Sequence, residues 1–223
     1  MNKYIQHLKT ITRHKIEVAK VCFKFGLYWQ GFIHDLSKYS LTEFVPSAKY
    51  FNGKRSPIEV EKAEKGYSKA WLHHKSHNKH HQWYWMDWDS KQNPTPCKIP
   101  IKYVYEMIAD WIGAGKVYGK NAGKEWDQSQ PYEYYKHHNR QSESNFPIWH
   151  PHTKAIIDII LVDLAEFGLD VVVKNIKNHL YEKYYTAYIE PYRQGHEYAF
   201  HNYAQYFSAA HAAVVEKYYE GIQ

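Results

Sequence analysis

Hydrophobic and polar positions recur along this chain mainly at helical spacing. Between Tyr4 and Phe25 one stripe runs through Ile5, Leu8, Thr12, Ala19 and Phe23, and a second through Ile11, His14, Val18 and Phe25. A helix apolar on two sides packs centrally, so this segment is expected in the middle of a bundle, with Gly26 as its stop. Ser40-Leu41-Thr42-Glu43-Phe44 has the Ser-x-x-Glu spacing of a capped helix start. Ile58 to Trp88 reads as helical with a break near Gly66, and Asp89 to Pro100 as loop. Pro100 suits the first turn of a helix reaching about Tyr118. That helix carries Ile101, Val104, Ile108 and Ile112 on one side, with Glu106 and Asp110 one turn apart on another. Met107 and Ala114 lie on its far side, which places Asp110 in the interior, where a carboxylate needs a cation or a metal.

The stretch Gly119–Pro151 is polar and loop-rich, with a short helix over Pro131–His138, and supplies the best boundary. We expect a first domain over 1–125 and a helical C-terminal extension over 126–223 packed on it. The extension's helices are Thr153–Phe167 ending at Gly168, Val171–Ile189, and about Tyr192–Tyr219 after Pro191. Strand-like alternation is scarce and no solenoid repeat is evident, so the fold class is all-α.

Composition sharpens this picture. The mean hydropathy is −0.71, low for a globular core, but 22 tyrosines score as polar while burying large rings. An aromatic content of 17% excludes a disordered chain. Two cysteines, Cys22 and Cys97, make a disulfide framework improbable and point to a reducing, cytoplasmic setting. Cys22 lies in an apolar stretch, and Cys97 lacks the His partner of a thiol nucleophile. The most apolar run, Ala155 to Ala165, is interrupted by Asp158 and Asp163, so no membrane span is expected. The net charge of +6 favours an anionic ligand, but the cations are scattered, which leaves nucleic acid open as a partner without arguing for it.

Histidine is the unusual residue. There are 16, five of them between His73 and His81. His14, the doublet His34-Asp35, the run His73, His74, His77, His80 and His81, and Asp110 offer metal-ligating groups from four separate stretches. A shell mixing nitrogen and oxygen suits a divalent transition metal such as Mn, Fe, Co, Ni or Zn, whereas Mg prefers mostly oxygen.

The order His14 … His34-Asp35 … Asp110, with Phe32-Ile33-His34-Asp35-Leu36-Ser37-Lys38 around the doublet, resembles the HD superfamily of metal-dependent phosphohydrolases. The segment from Ala70-Trp71-Leu72-His73-His74 to His80-His81, with Trp83-Tyr84-Trp85, is also similar to an uncharacterised bacterial and phage family of HD-like proteins, DUF5662. The resemblance covers about residues 10–120. It implies an HD-like helical bundle in which His14, His34, Asp35 and Asp110 hold a first ion. Histidines between the doublet and the last Asp would bind a second. His73, His77 and His81, four residues apart, would share one helix face, with His74 and His80 flanking.

The chemistry implied is hydrolysis of a nucleotide or another small phosphate ester, with one or two ions activating water and polarising a phosphoryl oxygen. Asp35 could orient that water. Lys38, Lys54, Arg55 and Lys75 could neutralise phosphoryl charge, and Glu106 could accept from a ligand histidine or act as a general base. Trp71, Trp83, Tyr84 and Trp85 could stack on a base, although core packing is the commoner use of Trp83, Tyr84, Trp85 and Trp88. The histidine run competes with a solvated surface, Gly53-Lys54-Arg55 is mostly a turn, and His150 caps a helix entry. Two other functions fit the same residues: a di-iron oxygenase, and a non-enzymatic binding module with a structural metal.

Overall fold

The computed structural model describes residues 2–53, 55–121, 123, 125–141, 147–184 and 186. The protein is predominantly all-α, with ten α-helices and one two-stranded ribbon among these residues. Residues 1–181 form one compact unit and 182–223 a second. No helix among the described residues is long and apolar enough to cross a membrane.

Helix α1 (Lys3–Lys24) starts at Asn2, whose side chain accepts from the Tyr4 N–H, and turns off at Gly26, where φ is +80°. Only one of its two stripes is buried. Ile11, His14 and Val18 face inward with His7, Val21 and Cys22, while Ile5 and Leu8 stay 48% and 42% exposed. Most of the largest fully buried side chains lie on α6 (Ile101–Asn121) and α8 (Pro151–Phe167). Val104, Met107, Ile108 and Ile112 of α6 are buried, as are Ile156, Ile157, Ile159, Ile160, Leu161 and Leu164 of α8. Asp163, buried on α8, accepts from Tyr181 Oη at 2.8 Å and Asn175 Nδ2 at 3.0 Å, and so carries no unmet polar cost.

Helix α1 packs on α6, on the short α2 (Tyr28–Ile33) and on α3 (Leu41–Tyr50). A 3-10 turn, Leu36–Tyr39, links α2 to α3, and Ser40 caps α3 by accepting from the Glu43 N–H. Helix α3 in turn packs on α4 (Pro57–Lys65) and α5 (Lys69–His77). Helix α7 (Gln130–Gln141) lies against α6 and α8, and α9 (Leu169–Lys177) follows α8. The last described helix is α10 (Leu180–Tyr184), so the single helix expected over 171–189 is broken at a turn where His179 has φ +55°.

The segment expected to be helical from Ile58 to Trp88 divides twice. Gly66 closes α4 in the left-handed conformation, as the break there required. The second interruption is at Asn78. Its side-chain amide donates to the His74 carbonyl and to Ser37 Oγ, both at 2.8 Å, and so competes with the helix it ends. A 3-10 turn, Gln82–Trp85, then leads into an antiparallel ribbon of β1 (Met86–Trp88) and β2 (Pro94–Pro96). The expected core role of the aromatics here does not hold: Trp88 is 63% exposed, Tyr84 36%, and Trp83 and Trp85 only half-buried.

Candidate metal centre

Five elements bring the candidate ligands together. His14 and Asp110 meet because α1 and α6 pack at close range, and Gly113, one turn beyond Asp110, makes that approach possible. A Cβ at Gly113 would lie 2.5 Å from Val18 Cγ2 and 3.1 Å from the Val18 backbone nitrogen. His14 Nε2 comes 2.9 Å from Asp110 Oδ1. The doublet follows α2: His34 leaves the helix with extended backbone, and Asp35 takes the left-handed conformation at φ 55°, ψ 23°. That reversal lets consecutive side chains reach one point, which two neighbours on one helix cannot do.

Asp35 is the hub. Its Oδ2 lies 3.4 Å from His34 Nε2 and 3.6 Å from His14 Nε2. Its Oδ1 lies 3.3 Å from His74 Nε2 and 3.5 Å from His80 Nε2. Two four-residue groups therefore share it: His14, His34, Asp35 and Asp110, and Asp35, His74, His80 and His81. Each group offers ligand atoms within 4.8 Å of one another. Lys38 Nζ pairs with Asp35 Oδ2 at 2.5 Å from the 3-10 turn, its side chain 24% exposed.

Two buried glutamates orient the imidazoles. Glu106 Oε1 lies 2.9 Å from His34 Nδ1 and 3.2 Å from His80 Nδ1, touching one histidine of each group. Glu43 Oε2 lies 2.8 Å from His74 Nδ1, and its Oε1 2.7 Å from His73 Nδ1. An ionised carboxylate only accepts, so these Nδ1 atoms carry protons, which would leave Nε2 of His34, His74 and His80, on the Asp35 side, for an ion. Glu43 was not expected here. Its Ser-x-x-Glu position reads as a helix cap, and the only local hint of more was a histidine run long enough to need an acceptor.

The donor set fits a divalent ion on three counts. His14 Nδ1 and Nε2, His34 Nε2, His80 Nε2 and both Asp35 oxygens are buried without an aligned hydrogen bond, although Asp110 stands beside His14 Nε2 and Lys38 beside Asp35 Oδ2. Burial of that many polar atoms is costly unless something bonds them. His81 Nε2 faces His74 Nε2 at 2.9 Å, which demands a proton or a cation between two nitrogens. Ligand atoms about 2.0–2.1 Å from a shared ion stand about 3.0–3.4 Å from one another in tetrahedral to octahedral shells, close to the separations seen here.

Electrostatics agree. Burial alone would raise the Asp35 and Asp110 carboxyls, but for Asp35 the charges of His34, Lys38 and His74 outweigh it, and for Asp110 the close imidazoles of His14 and His34 do. Both stay well below the usual carboxylate range. Burial would likewise lower His34, yet Asp35 beside it and its carboxylate hydrogen bonds hold it well above its ordinary value. Burial pushes His81 well below, helped by the charges of His80 and His74.

The remaining candidates separate. His73 and His77 stack on each other at 3.9 Å between ring centroids on the outer side of α5, and neither belongs to the two groups. The shared helix face expected for His73, His77 and His81 fails because α5 ends at His77 and the chain folds back, delivering His80 and His81 instead. Lys75 is half-buried on α5 and Arg55 is exposed in a turn, its backbone N–H on Asn52 Oδ1; neither enters the cluster's contacts among the described residues. Lys54 lies outside the described residues. His150 caps α8 as expected, its Nδ1 accepting from the His152 N–H. His196, His201 and His211 also fall outside the described residues. Cys22 is buried, which pushes its thiol up to about 12 and leaves it inert.

Comparison with curated proteins and with solved structures returned no match. A family model described as a family of unknown function, DUF5662, matches residues 3–163, a span that contains every residue of both groups and both glutamates. The chain therefore belongs to that family.

Proposed function

We propose that this protein is a metal-dependent phosphohydrolase of HD type acting on a nucleotide or another small phosphate ester. The observation that carries the reading is Asp35, whose two oxygens face two separate ligand groups and would bridge two ions. His14, His34 and Asp110 would complete one site, and His74, His80 and His81 the other. The mixed nitrogen and oxygen donors favour Mn, Fe, Co, Ni or Zn. Such ions supply Lewis acidity toward a phosphoryl oxygen and toward water.

The chain's own residues supply the rest. Lys38 and Asp110 are among the more exposed of these groups, at 24% and 13% of their side chains, so a phosphoryl group would enter on their side. The Lys38 ammonium sits where it would offset charge building on that group. Asp35 would orient the attacking water. Glu106 has its nearer oxygen committed to two imidazoles, so it suits an orienting role better than that of a general base. Deep burial of His14, His34, Asp35, His74 and His80 would keep bulk water from the reacting centre.

The test begins with elemental analysis of the purified protein, followed by a phosphate-release screen over nucleotides and simple esters with the metal found. Two ions per chain are expected, with release lost at least a hundredfold in His34→Ala and Asp35→Ala. Release unchanged in both variants overturns the reading. The five-histidine set around a bridging carboxylate also suits a di-iron oxygenase, which would show iron and oxygen consumption in place of phosphate release. An ion that raises stability with no turnover on any substrate would mark a binding module.

A further inference from the structure

The doublet follows a short helix that meets α1 on one side and is exposed on the other. Helix α2 has six residues, and Tyr28, Trp29, Phe32 and Ile33 are 63%, 69%, 64% and 41% exposed. Gln30 and Gly31 alone are buried. The helix meets α1 through Gly31, where a Cβ would lie 2.6 Å from Phe23 Cε1, and the next two residues are the pair on which both ligand groups depend. Asp35 must also keep a left-handed backbone, disfavoured for any residue with a Cβ.

Lys15 adds a polar constraint at the end of that helix. It lies one residue beyond His14 on α1, and its Nζ donates to the Phe32 carbonyl at 2.6 Å and to the His34 carbonyl at 2.8 Å. These carbonyls lie at and just past the C-terminal end of α2, where no glycine closes the helix and a cation is favoured. One ammonium thus ties the backbone on both sides of Ile33 to the helix that carries His14. With His34 and its carbonyl pinned, the following peptide is set for the turn that aims Asp35 between the two groups.

We propose that Lys15 is a positioning residue of the metal centre. It touches neither ion nor substrate, and acts by holding the His34-Asp35 backbone so that the Asp35 carboxylate can bridge. This rests on the dinuclear reading above. It predicts that Lys15 governs the bridging site as a whole, because Asp35 is common to both halves.

Titration of the metal-free full chain with Co2+ alone, followed by its visible absorption and by competition with a chelator, tests this without any substrate. Lys15→Met is expected to bind Co2+ at least tenfold more weakly at both sites and to change the absorption spectrum, which reports ligand geometry. Lys15→Arg, which keeps donors for two carbonyls, is expected to restore the affinity to within a few-fold and to restore the spectrum. The melting temperature of each metal-free variant separates a merely structural loss, which would lower that temperature while leaving the affinity of the folded protein and its spectrum intact. Wild-type affinity and spectrum in Lys15→Met overturn the proposal, as does an arginine variant no better than methionine. A wild-type chain that binds no Co2+ would instead remove the dinuclear reading on which the proposal stands.

Discussion

At the scale of single residues, the structure makes two groups testable that composition alone left anonymous. His7 is buried between Phe44 and Phe51, at ring-centroid separations of 5.4 and 5.2 Å. Burial, aided by the charge of Lys38, lowers its pKa to about 4. In the unfolded chain a histidine titrates near ~6.5, so between the two values the unfolded state binds more protons. Stability is then fully present above that range and falls as the pH drops through it. His74 and His81 are lowered as well, so the measurement is a difference: His7→Leu should flatten the slope of unfolding free energy against pH between about 6.5 and 4 relative to wild type. An unchanged slope would mean His7 is not the group responsible. Glu43 is the second. Removing its charge in Glu43→Gln frees the His74 ring to turn, and about 10–100-fold weaker metal affinity is expected from losing such a partner, read by chelator competition.

At the scale of elements, the site depends on how closely α1 and α6 approach. Gly113→Ala would place a methyl 2.5 Å from Val18 Cγ2 and against the Val18 backbone, which cannot move aside alone. Overpacking of this kind costs about 1–3 kcal/mol, and denaturant unfolding should show it. Because Val18 and Gly113 sit one turn from His14 and Asp110, the same substitution should part those ligands and lower metal affinity. Helix capping was readable at this scale from local residues: Ser40, Gly66, Gly168 and His150 each close or open the helix where their chemistry predicts. The end of α5 was not readable that way. Asn78 stops it by bonding Ser37, 41 residues away in the chain, and the ribbon that follows pairs Met86–Trp88 with Pro94–Pro96 over a turn held by Asp89. A helical continuation has nothing local against it except Asn78 itself.

For the molecule as a whole, a bound ion should be a large share of folding stability. Buried carboxylates and imidazoles without aligned partners burden the metal-free fold, and any ligand that binds only the native state stabilises it. At a free metal concentration one hundred times Kd the gain is about 2.7 kcal/mol per independent site. Thermal unfolding with a divalent ion and with excess chelator should differ accordingly, and equal melting temperatures would contradict an ion at this centre. Residues beyond the family match also matter to the fold. A chain ending at residue 163 would lose the partners of Asp163 together with buried Leu164, Val172, Ile176 and Tyr181, and so part of the apolar packing around α8. A chain ending at 184 keeps both and should be the more stable of the two in denaturant.

Two kinds of information meet in this protein. Helix periodicity, caps and the identity of His14, His34, Asp35 and Asp110 as ligand-type residues are properties of short stretches, so the amino-acid order alone determined an all-α chain and pointed to four residues that the fold brings together. Which of five clustered histidines join the second group is a property of distance in space. Asn78 bending the chain back, Glu43 meeting the His74 ring and the left-handed Asp35 opening a carboxylate to both sides are set by partners far away in sequence, so only the folded chain shows His74, His80 and His81 gathered at Asp35 and His73 and His77 apart from it.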